Sequence, residues 1–412
     1  MRHCRPLALV ALLLLGILPA CRGTPRRPVG QEDLEQLVDS MIPSVERAAG
    51  LTFRTPPTSA MRTREEVRAY LVNKLEQEFP PERIAGVEAA YRLFGLLPDS
   101  IDLPALLLDL YSEQVAGFYD PDSLTLFGVQ GGDPSQLRLV LAHELVHALQ
   151  HQYLPIDSLL TLERDADRLT AGQAVLEGHA TIASLRVLVP GSDVVDQPSF
   201  WEAYRDQIRL QQSSMPVFAS APMVLREGLI FPYLNGAEFM RWWLSSHPGS
   251  ALPTRAELPQ STEQILFPSR YAGGDQPVTL RFADSAGTVL YEDTLGEMEL
   301  QILQAAQRGL TTVVATAPTG WGGDRYRVYD TNDGPALVWY TVWDTPAVAN
   351  RFRTTTGSRL AAISREGYRG VVEAVTLGDL SAVRVVLAPG GWAGWRAVPT
   401  IAVVDTEAGS GS

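Results

Sequence analysis

The stretch LRLVLAHELVHALQHQY, residues 137–153, decides the fold, because it joins a helical pattern to a motif that can bind a metal ion. It contains His143-Glu144-Leu145-Val146-His147, which is an HExxH motif. Histidines at i and i+4 project from one helix face and can bind one ion, while Glu144 lies on the adjacent face, where it can take a proton from a metal-bound water. With 6 His in 412 residues, chance would give on the order of 0.005 such motifs in the chain. The motif therefore predicts a metal site on a helix at about 134–152.

A catalytic zinc site usually has a third protein ligand and one open position for water. The chain has only 2 cysteines, both near its start, so we look for the third ligand among acidic side chains. Glu177, in AVLEGHA (174–180), is the preferred candidate. It belongs to a second predicted helix, at about 159–188, whose small residues permit close packing against the first. The alternatives are acidic residues at the start of the same helix, namely Glu163, Asp165 and Asp167.

The first twenty residues predict targeting rather than folded structure. Arg2 and Arg5 precede an apolar run over 7–18, which is the pattern of a signal peptide. The sequence LPAC (18–21) resembles a bacterial lipobox, so we expect residues 1–20 to be removed and Cys21 to be lipidated. Residues 21–30 would then be a tether to a bacterial membrane, with the protein in the cell envelope and facing away from the cytoplasm. Plain secretion after cleavage nearby is the alternative.

The rest of the chain predicts an α+β protein in two parts. Residues 31–272 begin with a layer of amphipathic helices and contain the motif helix. From 273 to 406 the pattern is rich in β-strands, interrupted by helices near 294–308 and 346–364. Residues 407–412 predict a flexible tail.

Composition and charge exclude several classes of function. The chain is 45% hydrophobic and 20% charged, as in ordinary globular proteins, and its formal charge is 34 − 47 = −13. A protein this acidic is not expected to bind nucleic acid, because contacts with phosphate dominate that affinity. We find no phosphate-binding glycine loop and no serine nucleophile motif, so no nucleotide partner is expected.

HELVH with a Glu some thirty residues later resembles the gluzincin group of zinc metallopeptidases, which includes thermolysin. Three segments more narrowly resemble a family of uncharacterised bacterial and archaeal predicted metallopeptidases, and the resemblance covers most of 60–345; the segments are LLLDLYSEQVAGFYDPDSLTLFGV (106–129), LRLVLAHELVHALQHQY (137–153) and AVLEGHAT (174–181). It implies a zincin-like core with an edge strand near 124–129 lining the cleft. It also implies one Zn²⁺ per chain, held by His143, His147 and Glu177, and hydrolysis of protein or peptide substrates with Glu144 as the general base.

The sequence does not identify two parts of the site, namely the residue that orients the first histidine and the donor to the oxyanion. Thermolysin-like enzymes place an Asp four residues after the Glu ligand to orient the first His, whereas this chain has Thr181. The candidates for a donor to the developing oxyanion are Tyr233, Tyr204 and His179. His151 lies ~12 Å along the helix from His143, too far to share one ion, and is predicted to be a rim residue.

The alternative function is a lipoprotein with a structural or silent metal site that binds a partner in the envelope.

Overall fold

The structure is a computed structural model that describes residues 29–78, 80–132, 134–154, 165–191, 193–283, 287–313, 317–363 and 365–404. The predicted signal peptide, Cys21, most of the tether and the tail lie outside the described residues, as does Glu163. None of the helices in the described ranges has the length and apolarity that a membrane span requires.

The protein has the predicted α+β class, and its first part is mainly helical. The elements up to the second long helix are α1 (Gln31–Ala49), β1 (Thr58–Arg62), α2 (Arg64–Glu78), α3 (Pro81–Phe94), α4 (Leu103–Gln114), β2 (Gly117–Asp120), β3 (Thr125–Val129), α5 (Pro134–Tyr153) and α6 (Ala166–Leu188). Five further helices follow: α7 (Pro198–Ser213), α8 (Pro216–Ser220), α9 (Met223–Ser246), α10 (Thr262–Leu266) and α11 (Pro268–Ala272). Short 3-10 turns lie at Asp193–Asp196 and Arg255–Glu257.

The small sheet of this part differs from the expected arrangement. Its order is β1-β3-β2, with β1 parallel and β2 antiparallel to β3. The strand predicted near 124–129 is present as β3, but it is the central strand and not the edge. The reason is that β1 pairs with one side of β3 and the hairpin strand β2 pairs with the other. The edge strand beside α5 is therefore β2, and Tyr119 in it contacts Glu144 directly.

Helix α5 is buried on most of its surface, which fixes the HExxH motif in the interior. Apolar side chains of α5, including Leu141 and Leu145, pack with Leu34 and Val38 of α1 in one cluster. Helix α6 lies against α5 and crosses α9, where Gly178 meets Gly236 at backbone contact distance. Two helices with glycines at their crossing can approach closely because no Cβ separates the backbones. The metal motif is thus surrounded by α1, α6 and β2.

The C-terminal part is built on a five-stranded antiparallel sheet in the order β5-β6-β7-β9-β8. Its strands are β5 (Thr288–Asp293), β6 (Trp321–Asp330), β7 (Ala336–Trp343), β8 (Tyr368–Leu377) and β9 (Leu380–Pro389). A two-stranded sheet of β4 (Leu280–Phe282) and β10 (Ile401–Val403) packs on one face. The predicted helices are α12 (Gly296–Gln307), and a segment formed by α13 (Pro346–Phe352), a π-helical turn (Arg353–Gly357) and α14 (Ser358–Ala361); a 3-10 turn at Ala393–Arg396 precedes β10.

One hydrophobic core joins the two parts. Phe94 of α3 packs edge-on against Tyr326 and Trp339 of the large sheet, with ring centroids 5.2 and 5.1 Å apart. The same cluster continues into α6 and α9. The helix that carries Glu177 is therefore held from both sides of the predicted boundary at 272.

Candidate metal centre and active site

The structure brings His143, His147 and Glu177 together in the interior. The Nε2 atom of His143 lies 3.0 Å from Glu177 Oε2, and the Nε2 atom of His147 lies 3.3 Å from the same oxygen. One ligand atom from each residue lies within 4.8 Å of the others. Helix α5 supplies both histidines from one face, since they are one turn apart, and α6 supplies the carboxylate. The group could hold a metal ion.

The donor atoms fit a tetrahedral metal ion such as zinc. Zinc bonds to nitrogen and oxygen of about 2.0–2.1 Å place adjacent tetrahedral ligands about 3.3 Å apart, which is close to the two observed separations. His147 Nε2 is buried and has no hydrogen-bond partner among the described residues, although it lies 3.3 Å from the carboxylate of Glu177. Two neutral imidazoles and one carboxylate form a common ligand set for divalent zinc.

The charges of the three residues also suit a cation between them. Burial alone would lower the pKa of His147, but the negative charge of the nearby Glu177 carboxylate outweighs burial and raises that pKa to about 9. Burial alone would raise the pKa of Glu177, but the charge on His147 and the hydrogen bond from His143 lower it to about 2. Burial lowers the pKa of His143 to about 4, so this ring is neutral. The site therefore favours one ionised carboxylate facing positive charge.

One carboxylate oxygen of Glu144 accepts a hydrogen bond, and the other has no hydrogen-bond partner among the described residues. Its Oε2 accepts a hydrogen bond of 2.8 Å from the backbone N–H of Tyr119, in the edge strand β2. Its Oε1 is buried and has no hydrogen-bond partner among the described residues. Burial raises the pKa of Glu144 to about 8, so without a cation nearby the group holds its proton at neutral pH. A divalent cation nearby would lower this pKa.

Of the three candidates for an oxyanion donor, Tyr233 is the one that lies beside both His143 and Glu177. Its ring centroid lies 5.9 Å from that of His143, and its hydroxyl is within hydrogen-bonding reach of Glu177. Burial, followed by the negative charges of Glu177 and Glu144, raises the pKa of Tyr233 well above 10. The phenol therefore stays protonated and can donate a hydrogen bond.

The other two predicted donors lie elsewhere. The ring of Tyr204 packs against Phe200 and Trp201 of its own helix, and its buried hydroxyl has no hydrogen-bond partner in the described part of the chain. His179 follows Glu177 by two positions, so it projects from a different face of α6 than the ligand Glu177. It bonds to Gln150 and to the Ala49 carbonyl.

The alternative third ligands are also separate from the histidines. Asp165 caps the N-terminus of α6 by accepting from Arg168 N–H. Asp167 is buried against Thr262, whose hydroxyl and backbone N–H it accepts. Both lie about three turns before Glu177, which places them far from the motif. Of the described acidic residues of α6, Glu177 is the one that reaches His143 and His147.

Two residues near the site were missed by the sequence reasoning. Gln150 accepts from His147 Nδ1 at 2.8 Å, a contact that the i, i+3 spacing on one helix could have indicated. Tyr119 holds Glu144 through its backbone, which no side-chain pattern reveals. Its hydroxyl lies 3.0 Å from Nδ1 of His151, so His151 is linked to the edge strand and lies outside the group of His143, His147 and Glu177.

The residue that replaces the thermolysin-like Asp does not bind the first histidine. His143 Nδ1 and Thr181 Oγ1 are both buried, and neither has a hydrogen-bond partner among the described residues. His143 is therefore oriented by packing, by Glu177 and by the ring of Tyr233, without the carboxylate that the resemblance implies.

Comparisons with known proteins add little beyond this geometry. Residues 287–398, in the C-terminal part, match a family described as a domain of unknown function (DUF8575). Among curated proteins, none matches the chain. A solved structure from Chloroflexus aurantiacus, described as "a putative hydrolase with a novel fold", is 17% identical over 61% of this chain and 92% of that chain, with a TM-score of 0.38.

Proposed function

We propose that this protein is a zinc-dependent metallopeptidase of the bacterial cell envelope. The observation that carries the proposal is a set of three ligand side chains beside a glutamate with an unpaired oxygen. Structural zinc sites are normally closed by four protein ligands, whereas catalytic sites have three and leave one position for water or substrate. The described residues supply three, His143, His147 and Glu177. A purely structural site would also have no use for a buried Glu144 with a free Oε1.

Each residue of the site has a different role in the proposed hydrolysis. When bound, zinc supplies a Lewis acid that polarises the scissile carbonyl and makes water more acidic. In this proposal Glu144 Oε1 takes a proton from the attacking water and returns it to the leaving amine, and its lack of a hydrogen-bond partner among the described residues supports that role. The Tyr233 hydroxyl supplies a neutral donor for the oxygen on which negative charge develops. The Tyr119 N–H keeps Glu144 in place through Oε2.

Peptide substrates would be bound beside β2. An extended peptide can add a strand to a free sheet edge through main-chain hydrogen bonds, with little sequence selectivity. The four side chains His143, Glu144, His147 and Glu177 are at most 3% exposed in this conformation. Because Tyr119 also occupies one oxygen of Glu144, substrate access requires β2 to move relative to α5.

The test compares metal content and proteolysis in four purified full-length proteins: wild type, His147→Ala, Glu177→Ala and Glu144→Gln. We expect one zinc per chain in wild type, loss of zinc in His147→Ala and weaker binding in Glu177→Ala. Glu144→Gln should bind zinc but fail to cleave unfolded casein. The control Glu65→Gln removes the same charge from an exposed helix position and should behave as wild type. Wild-type protein without zinc would overturn the proposal.

A structural or silent metal site is the second candidate, and the burial of the four side chains favours it. It predicts stoichiometric zinc in both wild type and Glu144→Gln, with no cleavage of casein by either. In that case removal of zinc by a chelator should lower thermal stability equally in the two proteins, since zinc binding to the folded state contributes to folding free energy.

The membrane anchor is proposed on the sequence of residues 18–21 alone. Three acyl chains on Cys21 would hold the protein firmly, since a single chain gives only marginal binding. Cys21→Ala should move the protein from the membrane fraction to the soluble extracytoplasmic fraction. Recovery of the variant in the membrane fraction would contradict lipidation at Cys21.

A further inference from the structure

A chain of buried hydrogen bonds leads from His147 to the end of the N-terminal helix. Gln150 Oε1 lies 2.8 Å from His147 Nδ1, and Gln150 Nε2 lies 3.0 Å from His179 Nδ1. The opposite nitrogen of the second ring, His179 Nε2, lies 3.0 Å from the Ala49 carbonyl oxygen. All four residues are at most 3% exposed. Water therefore does not compete for these bonds.

Backbone carbonyl groups, which can only accept, determine which atom donates and which accepts in each hydrogen bond of the chain. The Ala49 carbonyl can only accept, so His179 Nε2 carries a hydrogen and donates it. A neutral His179 then has an acceptor at Nδ1, which the Gln150 amide N–H₂ fills. The second amide hydrogen of Gln150 goes to the Leu176 carbonyl at 2.8 Å. With both amide hydrogens used, Gln150 must present its oxygen to His147.

The last link fixes the form of the metal ligand. An amide oxygen only accepts, so His147 Nδ1 must carry the hydrogen. In neutral His147 the lone pair is then on Nε2, which is the atom that faces Glu177. The same bond fixes the rotation of the imidazole ring.

We propose that Gln150 is the positioning residue of the metal centre, and that His179 and the end of α1 hold Gln150 in this role. The inference rests on the proposed metal-binding function of His147. It gives the N-terminal helix a part in the site, since Ala49 is the last residue of α1 and Gly50 ends the helix in a left-handed conformation with φ of 69°. A carbonyl in the last turn of a helix has no partner within the helix and carries partial negative charge, which favours an N–H donor.

Zinc affinity tests the positioning role without depending on activity. In the full-length protein, Gln150→Leu should weaken zinc binding by about 10- to 100-fold in competition with a chelator, as loss of a partner of a metal-bound histidine does elsewhere. Gln150→Glu keeps an acceptor for His147 Nδ1–H but loses both amide donors, so it should recover only part of that loss. The matched control is Gln152→Leu on the same helix, because Gln152 bonds to Arg54 and Thr55 and not to the site.

A double-mutant cycle separates the proposed chain from a general loss of packing. His179→Leu alone should weaken zinc binding by a smaller factor, because Leu176 still holds Gln150. In the Gln150→Leu background the same change should add nothing further, since contacts that act through one residue are not additive. Effects that multiply, or a folded Gln150→Leu protein with wild-type zinc affinity, would overturn the proposal.

The tautomers of His147 and His179 can be measured directly, and the result for His179 tests the hydrogen-bond chain even if the protein does not bind zinc. NMR of the imidazole nitrogens should show His179 protonated at Nε2 in the protein with or without zinc, and His147 protonated at Nδ1 in the zinc form. If wild type binds no zinc, the metal function fails while the His179 result still tests the hydrogen-bond chain. A His179 ring protonated only at Nδ1 would contradict the chain directly.

Discussion

Two buried tyrosines show how local surroundings decide whether a residue takes part in chemistry. Tyr233 and Tyr204 are both at most 8% exposed, and both are candidates in the sequence. The hydroxyl of Tyr233 interacts electrostatically with Glu177, whereas that of Tyr204 has no hydrogen-bond partner in the described part of the chain. Because a donor acts only where charge develops in the reaction, we assign the role to Tyr233.

Tyr233→Phe should therefore lower kcat for casein cleavage by about 10²- to 10³-fold, the usual cost of removing one donor to the oxyanion. KM and zinc content should change little, since the hydroxyl is not a ligand and acts mainly in the transition state. The measurement is steady-state kinetics beside metal analysis. Tyr204→Phe is the matched control and should retain wild-type kcat. Equal loss of kcat in the two variants would indicate a packing effect and not a donor.

The residues of the site that follow from local spacing could be predicted, and those that depend on tertiary contacts could not. His143 and His147 are one helical turn apart, so their convergence is a property of α5 alone. Glu177 comes from another helix, so the sequence makes it the preferred candidate but leaves Glu163, Asp165 and Asp167 open as alternatives. Tyr119 contributes through a backbone N–H, which has no sequence signal.

At the scale of elements, the crossing of α6 and α9 sets the position of both Glu177 and Tyr233. A Cβ added at Gly178 would lie 2.2 Å from the backbone carbon and oxygen of Gly236, and one at Gly236 would lie 2.0 Å from the Ala174 carbonyl oxygen. These atoms belong to helix backbones, so they cannot move aside without separating the helices. Glu177 directly precedes one glycine, and Tyr233 lies three residues before the other.

Gly178→Ala should therefore cost about 1–3 kcal/mol or more in the free energy of unfolding, because it overpacks a rigid contact. It should also weaken zinc binding, since α6 must shift and carries Glu177 with it. Chemical denaturation and chelator competition measure the two effects. Gly172→Ala on the same helix meets nothing within 4 Å and should stabilise the protein by about 0.5–1 kcal/mol through helix propensity alone. A stable Gly178→Ala protein would show that the helices are not in backbone contact.

The small sheet shows why element order is harder to predict than element type. The β-rich run over 125–129 is enough to predict a strand, and the Pro-Asp-Ser turn before it indicates a hairpin with β2. Nothing local indicates that Thr58–Arg62 forms a strand parallel to β3, because that pairing joins segments more than sixty residues apart. The edge strand was therefore assigned to the wrong member of the hairpin.

At the scale of the whole molecule, buried carboxylic acids gather where the two parts meet. Tyr91 of α3 donates to Glu299 of α12 at 2.6 Å, and Ala166 N–H donates to Asp293 at 2.7 Å. Burial is the main cause that raises the pKa of Glu299 to about 8 and that of Asp165 to about 6. Glu299 and Asp165 each lie near other acidic side chains, so ionising these two in the folded protein is unfavourable.

The sign of the effect on stability follows from linkage. An acid whose pKa is raised by folding holds its proton in the folded state at a pH where the unfolded chain releases it. Its contribution to stability is complete below the unfolded pKa of 4.5 and is lost as the pH rises towards the folded pKa of about 8. The free energy of unfolding should therefore fall between about pH 5 and pH 8. Asp165 contributes in the lower part of that range, up to about 6.

Glu299→Gln isolates one of these acids, because the amide resembles the protonated carboxyl and can still accept from Tyr91. At pH 5 the variant should be no more stable than wild type, and at pH 8 it should be more stable by about 1 kcal/mol or more, after allowance for the partial exposure of the site. Denaturation across this pH range, with a chelator present so that zinc makes no contribution, measures the difference. The exposed Glu76→Gln is the control for removal of charge. Parallel stability curves for wild type and Glu299→Gln would mean that Glu299 is already ionised in the folded protein, and that the junction of the two parts tolerates its negative charge.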